Sequence, residues 1–174
     1  MEKANQLRIA IIGPESTGKS EIAKELAHYF GIDFIAEYAR NYLSGKEAYT
    51  FDDVTTIAQE QFRQIEEYKL PILIADTELI VTKIWQQYKY GKVSGWIEKH
   101  IKKQNFDIYL LMDIDLEWTF DALRENPSQS EREELLALYK SELDHQGFNY
   151  QLISGDYSQR TKNALEAIKK TTKE

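Results

Sequence analysis

Residues 13–20 read Gly-Pro-Glu-Ser-Thr-Gly-Lys-Ser, a GxxxxGK[ST] pattern. An unbroken apolar run, Leu7–Ile12, precedes them. A helical stripe of Ile22, Ala23, Leu26, Ala27 and Phe30 follows and stops at Gly31. Strand, glycine loop and helix in that order predict a phosphate cradle. Gly13 and Gly18 let the backbone curl, so that the N–H groups of Glu15, Ser16 and Thr17 turn inward as an anion nest. The helix starting near Lys19 adds its positive end. Lys19 places a point charge on the β- and γ-phosphates, and the Ser20 hydroxyl is a hard ligand suited to Mg²⁺. Four fixed positions coincide by chance in about one in several hundred chains of this length. The flanking strand and helix make chance rarer, so a bound nucleoside triphosphate is the expectation.

That loop needs an α/β fold around it, and the rest of the chain supplies one. Further apolar runs lie at Phe34–Ala36, Ile72–Ala75 and Ile108–Met112, with a weaker one at Tyr150–Ile153. They lack polar alternation, as in parallel strands covered on both faces. Helical stripes separate them: Ile57, Ala58, Phe62 and Ile65, capped by Asp52 or Asp53; Leu79, Ile80, Lys83, Ile84 and Gln87; Leu135, Leu136, Leu138, Tyr139 and Leu143, ending near Gly147; and Ala164, Leu165 and Ile168. The expectation is a three-layer α/β fold with a five-stranded parallel sheet. At 174 residues with no linker or repeat, one domain over residues 1–174 is expected. Cysteine is absent, which excludes disulfides, thiolate metal sites and a cysteine nucleophile. The net charge of −7 disfavours general nucleic-acid or anionic-membrane binding. No apolar run spans a membrane and the first residues lack a signal pattern, so the expected place of action is the cytoplasm.

A phosphate loop that does chemistry needs acids near the metal. The run Ile72–Ala75 ends in Asp76, a Walker B arrangement in which the carboxylate sits beside Ser20, as metal ligand or proton acceptor. Asp76 also suits an N-cap. Glu37 ends the Phe34–Ala36 run, where doubly wound sheets bind ligands and where a carboxylate can hold a substrate diol. A first-turn surface glutamate is the plain alternative. The long charged segment from Asp113 to Gly147 holds Arg124 and Arg132. From composition alone it reads as solvated helix with i,i+4 ion pairs. The break at Asn126-Pro127-Ser128, with Ser128 or Ser130 as a cap, predicts two helices joined by a hinge, as a lid over about residues 117–146 requires. Tyr42, Tyr49, Phe51, Trp85 and Trp118 fall near strand ends. Any two could stack on a flat heterocycle, although each alone is ordinary core material. His28, His100 and His145 are scattered on helix faces, and nothing in their spacing suggests a ligand set.

Taken together, GPESTGKS at residues 13–20, Glu37-Tyr38-Ala39-Arg40 with Tyr42, Asp76-Thr77-Glu78 with Val81 to Trp85, Trp118 with Asp121-Ala122-Leu123-Arg124, and Asp156-Tyr157 with Arg160 appear in a shared order and spacing. The chain resembles the ribosylnicotinamide kinase domain of NadR-type proteins over nearly its whole length. The resemblance implies a P-loop kinase fold that uses ATP and Mg²⁺ to phosphorylate a nucleoside, nicotinamide riboside. It implies lid roles for Arg124 and Arg132, with Arg124 on the nucleotide. It puts Glu37, Tyr38, Arg40, Tyr42, Asp76 and Trp85 at the substrate. Glu37 would hold the ribose hydroxyls, and Asp76 would act on the metal side. Ala122 and Glu78 depart from that family's glycine and aspartate, and Ala36 stands where its established members carry a tryptophan that stacks on nicotinamide. Such a stack is worth about tenfold in affinity. Two other readings remain alongside: a kinase of the same fold for another small hydroxyl substrate, and an ATP-binding regulator with little turnover.

Overall fold

A computed structural model describes residues 6–121 and 123–173. Four strands, β1 (Leu7–Ile12), β2 (Ile72–Asp76), β3 (Ile108–Met112) and β4 (Tyr150–Ile153), form an all-parallel sheet in the order β2-β1-β3-β4. The helices are α1 (Lys19–Phe30), α2 (Tyr38–Leu43), α3 (Phe51–Glu67), α4 (Leu79–Tyr90), α5 (Gly95–His100), α6 (Gln129–Gln146) and α7 (Tyr157–Thr171), with a 3₁₀ turn at Ile101–Gln104.

Successive residues of a strand face opposite sides, so β1 seeds both halves of the core. Ile9 and Ile11 pack under α1 and α7 with Leu26, Met112 and Ile168. Ala10 and Ile12 pack toward α3, α4, α5 and α6 with Ala58, Ile84, Ile97 and Leu143. Helices therefore cover both faces, as the apolar runs require.

Two expectations need correction. The sheet has four strands, not five. Within Phe34–Ala36 only Ile35 pairs, bridging to Ala75. Its N–H donates to the Ile74 carbonyl at 2.9 Å and its carbonyl accepts from Asp76 N at 2.8 Å. Of the seven residues between the end of α1 and the start of α2, one bridges to β2, which makes no ladder. Instead the Gln61 side chain accepts from Tyr38 N at 2.8 Å and donates to the Ala36 carbonyl at 3.3 Å.

Nor is residues 117–146 a pair of hinged helices. Helix α6 is continuous from residue 129, capped by Ser128, and the described residues between β3 and α6 form no helix. Pro127 disfavours helical backbone just before it. Donors upstream bond to acceptors other than helical carbonyls: Thr119 N to the Ser16 hydroxyl at 2.9 Å, Leu123 N to Asp121 at 3.0 Å, and Glu125 N and Asn126 N to Glu15. Two caps also moved. Thr50 caps α3 in a capping box with Asp53, and Glu78 rather than Asp76 caps α4.

Candidate active site

The loop after β1 folds as its glycines require. Gly13 has φ 140°, and a Cβ there would lie 2.8 Å from the Met112 carbonyl oxygen, so only glycine lets the end of β1 close on β3. Ser16 and Gly18 take left-handed conformations (φ 56° and 80°), giving the curled backbone of an anion nest. Thr17 is buried and its hydroxyl donates to the Pro14 carbonyl at 2.8 Å. The Lys19 ammonium folds back onto the loop, donating to the carbonyls of Gly13 at 3.0 Å and Pro14 at 2.8 Å. Burial pushes its pKa down, while Glu37, Asp76 and Glu15 push it up. A polyanion in the loop would reinforce the charged form.

Asp76 lies at the end of β2, one strand from the loop, and is buried. Its Oδ2 accepts from the Ser20 hydroxyl at 2.6 Å, and its Oδ1 is buried with no hydrogen-bond partner among the described residues. An aliphatic hydroxyl beside a carboxylate with a spare oxygen is an all-oxygen donor pair that suits a hard divalent cation. The described residues hold no cluster of three or more His, Asp or Glu ligands, so a cation here would need phosphate oxygens or water to complete its shell. Burial raises the Asp76 pKa, and the Ser20 hydrogen bond and Lys19 oppose the rise. Thr77 turns the chain at φ 72°, a conformation costing a β-branched residue about 1–3 kcal/mol.

Glu37 precedes α2. Its pKa is raised first by burial, then by Asp76, against Lys19 and Arg40. Arg40 joins Glu37 at 3.6 Å to Asp121 of the β3–α6 segment at 2.9 Å. That segment also carries Arg124, whose guanidinium donates to the Thr119 carbonyl and hydroxyl, both at 2.6 Å.

Two cavities meet over the loop. One, of about 360 Å³, runs along Ser16 to Ser20 and is lined by Arg40, Asp121, Arg124 and Tyr157. The other, of about 220 Å³, is walled by Tyr49, Trp85, Tyr88, Lys89, Leu135 and Tyr139. Glu15, Lys19, Glu37 and Leu123 line both. In the smaller cavity the Trp85 Nε1–H donates to the Tyr49 hydroxyl at 3.0 Å, and the two rings meet edge to face at 5.2 Å.

The structure thus gathers Gly13, Glu15, Ser16, Thr17, Gly18, Lys19, Ser20, Glu37, Arg40, Asp76, Arg124 and Trp85. Asp76 joins this group through its Ser20 hydrogen bond and lines neither cavity, and three other expected residues stand apart from both. Arg132 is buried beneath the loop, donating to the carbonyls of Leu116 at 3.1 Å and Ser16 at 3.3 Å. Tyr38 and Tyr42 pack around Ala39, Leu43 and Ile57, and the Tyr42 hydroxyl donates to Asp53 at 2.7 Å. The sequence reading gave no site role to four others, quoting Tyr157 and Arg160 only as part of a motif. Tyr88 and Lys89 follow Trp85 on α4 and carried no separate signal. Tyr157, half exposed, lies against Gly18. Arg160 is fully buried. Its signal was position, since an arginine four and eight residues before Ala164 and Ile168 shares their buried stripe.

A parallel sheet, a glycine-rich loop leading from β1 into α1, and an acid at the end of the adjacent strand define a P-loop nucleotide-binding protein. Residues 8–160 match the AAA_28 family, an AAA domain, and the chain belongs to that family. It is 26% identical over 170 residues to the trifunctional NAD biosynthesis/regulator protein NadR of Escherichia coli (strain K12), and likewise to that of Salmonella typhimurium. Each alignment covers 92% of this chain and 42% of the relative, so the chain spans less than half of their length. Among solved structures, a NadR protein in complex with NR superposes with TM-score 0.79 at 19% identity, over 96% of this chain and 51% of that one. A NadR protein with NAD and AMP-PNP gives 0.76 at 22%, over 96% and 50%. Deoxyadenosine kinase from M. mycoides with bound dCTP gives 0.61 at 16%, over 94% and 100%.

Proposed function

We propose that the chain is an ATP-dependent kinase that phosphorylates the 5′-hydroxyl of nicotinamide riboside, giving nicotinamide mononucleotide and ADP. The observation that carries this reading is the meeting of the two cavities at Lys19 and Glu37. One cavity follows the phosphate loop, the other is walled by aromatic rings, and a hydroxyl in the second can face a γ-phosphate in the first. Relatives named for NAD biosynthesis, and a structural neighbour bound to NR, support the choice of acceptor.

In this reading the larger cavity takes the triphosphate. The curled loop and the start of α1 hold its oxygens, Lys19 leaves the Gly13 and Pro14 carbonyls for the β- and γ-phosphates, and Arg124 turns from Thr119 onto the transferring group. Ser20 and Asp76 would hold Mg²⁺, which supplies charge neutralisation between the phosphates. Glu37 accepts hydrogen bonds from the ribose diol, and Arg40 fixes its carboxylate. The riboside oxygen bonds to the γ-phosphorus as the bond to the ADP oxygen breaks, and the hydroxyl proton passes to one of the two carboxylates, Asp76 or Glu37. Little covalent help is needed, because alignment and charge do most of the work. Tyr49 and Trp85 give the base the aromatic face that Ala36 lacks. The place of action is the cytoplasm. No helix of the described residues is long and apolar enough to cross a membrane.

Ala36 also favours a second reading, a different nucleoside in the same cavity. ADP release from MgATP, measured with and without nicotinamide riboside and with mass detection of the mononucleotide, separates the two. Product that depends on both reactants supports the first. ATP binding without riboside-dependent ADP sinks it and directs the search to a panel of nucleosides.

A further inference from the structure

The third residue of the phosphate loop is an acid, and its side chain does not serve the loop. A negative charge among groups built for a polyanion weakens their field. The Glu15 carboxylate reaches across to the β3–α6 segment and accepts from three donors. Oε1 takes Glu125 N at 2.9 Å and Asn126 Nδ2 at 3.2 Å; Oε2 takes Glu125 N at 2.9 Å and Asn126 N at 3.0 Å. Those amides sit just before Pro127, where no helical carbonyl is in place to receive them.

The residue so held is itself part of the aromatic cavity. The Glu125 carboxylate accepts from the Tyr49 hydroxyl at 2.8 Å and from Lys89 Nζ at 2.8 Å. Lys89 also donates to the Tyr49 hydroxyl at 2.6 Å, and Trp85 donates to the same oxygen at 3.0 Å. A continuous chain of hydrogen bonds therefore runs from the phosphate loop through Glu15 and Glu125 to Tyr49 and Trp85. All of these residues line the 220 Å³ cavity.

We propose that Glu15 is a positioning residue that holds the acceptor wall in register with the phosphate loop, acting through Glu125 on Tyr49 and Trp85. The proposal rests on the reading of the 220 Å³ cavity as the acceptor site. A residue of the nucleotide loop then governs acceptor affinity, and its loss leaves ATP affinity undiminished, because the charge removed was opposed to the triphosphate.

Glu15→Ala and Glu15→Gln are the variants, the second keeping the side-chain shape. The expected result for Glu15→Ala is an acceptor KM raised about tenfold, the usual size of a coupling between sites. ATP Kd, read by titration, stays the same or falls. Amide hydrogen exchange at residues 125 and 126 quickens. Glu15→Gln, with one accepting oxygen, falls between the wild type and Glu15→Ala. Combining Glu15→Ala with Tyr49→Phe raises KM less than the product of the two single effects, because both act through Glu125. An unchanged acceptor KM, a KM and ATP Kd that rise together, unchanged exchange, or strict additivity with Tyr49→Phe overturns the proposal. If the wild-type protein phosphorylates no nucleoside, the kinase reading fails. The exchange arm then still decides whether Glu15 fastens the segment.

Discussion

The nucleotide cradle and the acceptor wall lie side by side yet are built in opposite ways. The cradle comes from eight consecutive residues whose conformations are set by their own glycines and by the strand and helix at either end. The wall comes from the ends of α2 and α4, the α2–α3 connection, the β3–α6 segment and α6, and its polar groups are positioned by one another. Local construction sets the cradle's curl from within, and Arg132 and Arg160 brace its carbonyls from outside. Distributed construction makes the wall adjustable, so that one fold can keep its phosphate chemistry while its acceptor changes. In the proposed reading Tyr49 and Trp85 supply the rings that Ala36 does not, which fits that division.

The sharpest test of the division is Lys19→Ala. Turnover should fall on the order of 100- to 1,000-fold, by loss of charge on the transferring group, with the circular-dichroism spectrum and Tm unchanged. Near-wild-type turnover would mean that the cradle is not the catalytic half. Glu37→Gln comes next. An ionised carboxylate that holds a diol is worth enough for acceptor KM to rise about tenfold to a hundredfold, with ATP Kd unmoved. Because burial and Asp76 raise the Glu37 pKa above 4.5, acceptor KM in the wild type should climb as pH falls toward that raised value. A pH profile identical in Glu37→Gln would refute the assignment. Trp85→Ala should raise acceptor KM about tenfold and leave ATP alone. Equal damage to ATP binding would erase the distinction between the two regions.

The smallest effect on turnover is expected at Glu78, fully buried under α4. Its Oε1 accepts from Ile80 N at 2.8 Å and Val81 N at 3.3 Å, and its Oε2 from Gln104 at 2.6 Å. Burial pushes its pKa from 4.5 up to about 7. The folded state therefore holds this proton more tightly than the unfolded chain does. Stability on this account declines as pH rises from 4.5 to 7 and is level beyond. Glu78→Gln should flatten that stretch of the Tm profile. A profile unchanged by the substitution would show that Glu78 does not titrate there.

The same contrast explains what the sequence disclosed. Strand runs buried on both faces, and the loop between β1 and α1, are statements about neighbours in the chain. Hence the class of fold, the cradle and the place of Asp76 were readable. Arg132 was not, because its role depends on the carbonyls of Ser16 and Leu116, which are distant in sequence. Tyr38 and Tyr42 sit in a motif that resembles a substrate site, yet their rings found partners in the core between α2 and α3. The fifth strand was misread because an apolar triplet carries the composition of a strand without the length of one. The expected second lid helix failed for a related reason: its backbone donors are answered by Ser16 and Glu15, about a hundred residues away.

Arg160 bears on how the protein is made. From the last helix its guanidinium donates to the carbonyls of Gly155 at 2.7 Å, Thr17 at 3.0 Å, Asp113 at 3.0 Å and Ile153 at 3.2 Å, and to the carboxylate of Asp115. Arg160 is synthesised 143 residues after Thr17. A chain still on the ribosome with Arg160 inside the exit tunnel holds the whole nucleotide motif but lacks the group that braces it. The braced loop is completed only after the strands and helices between the two residues have been made.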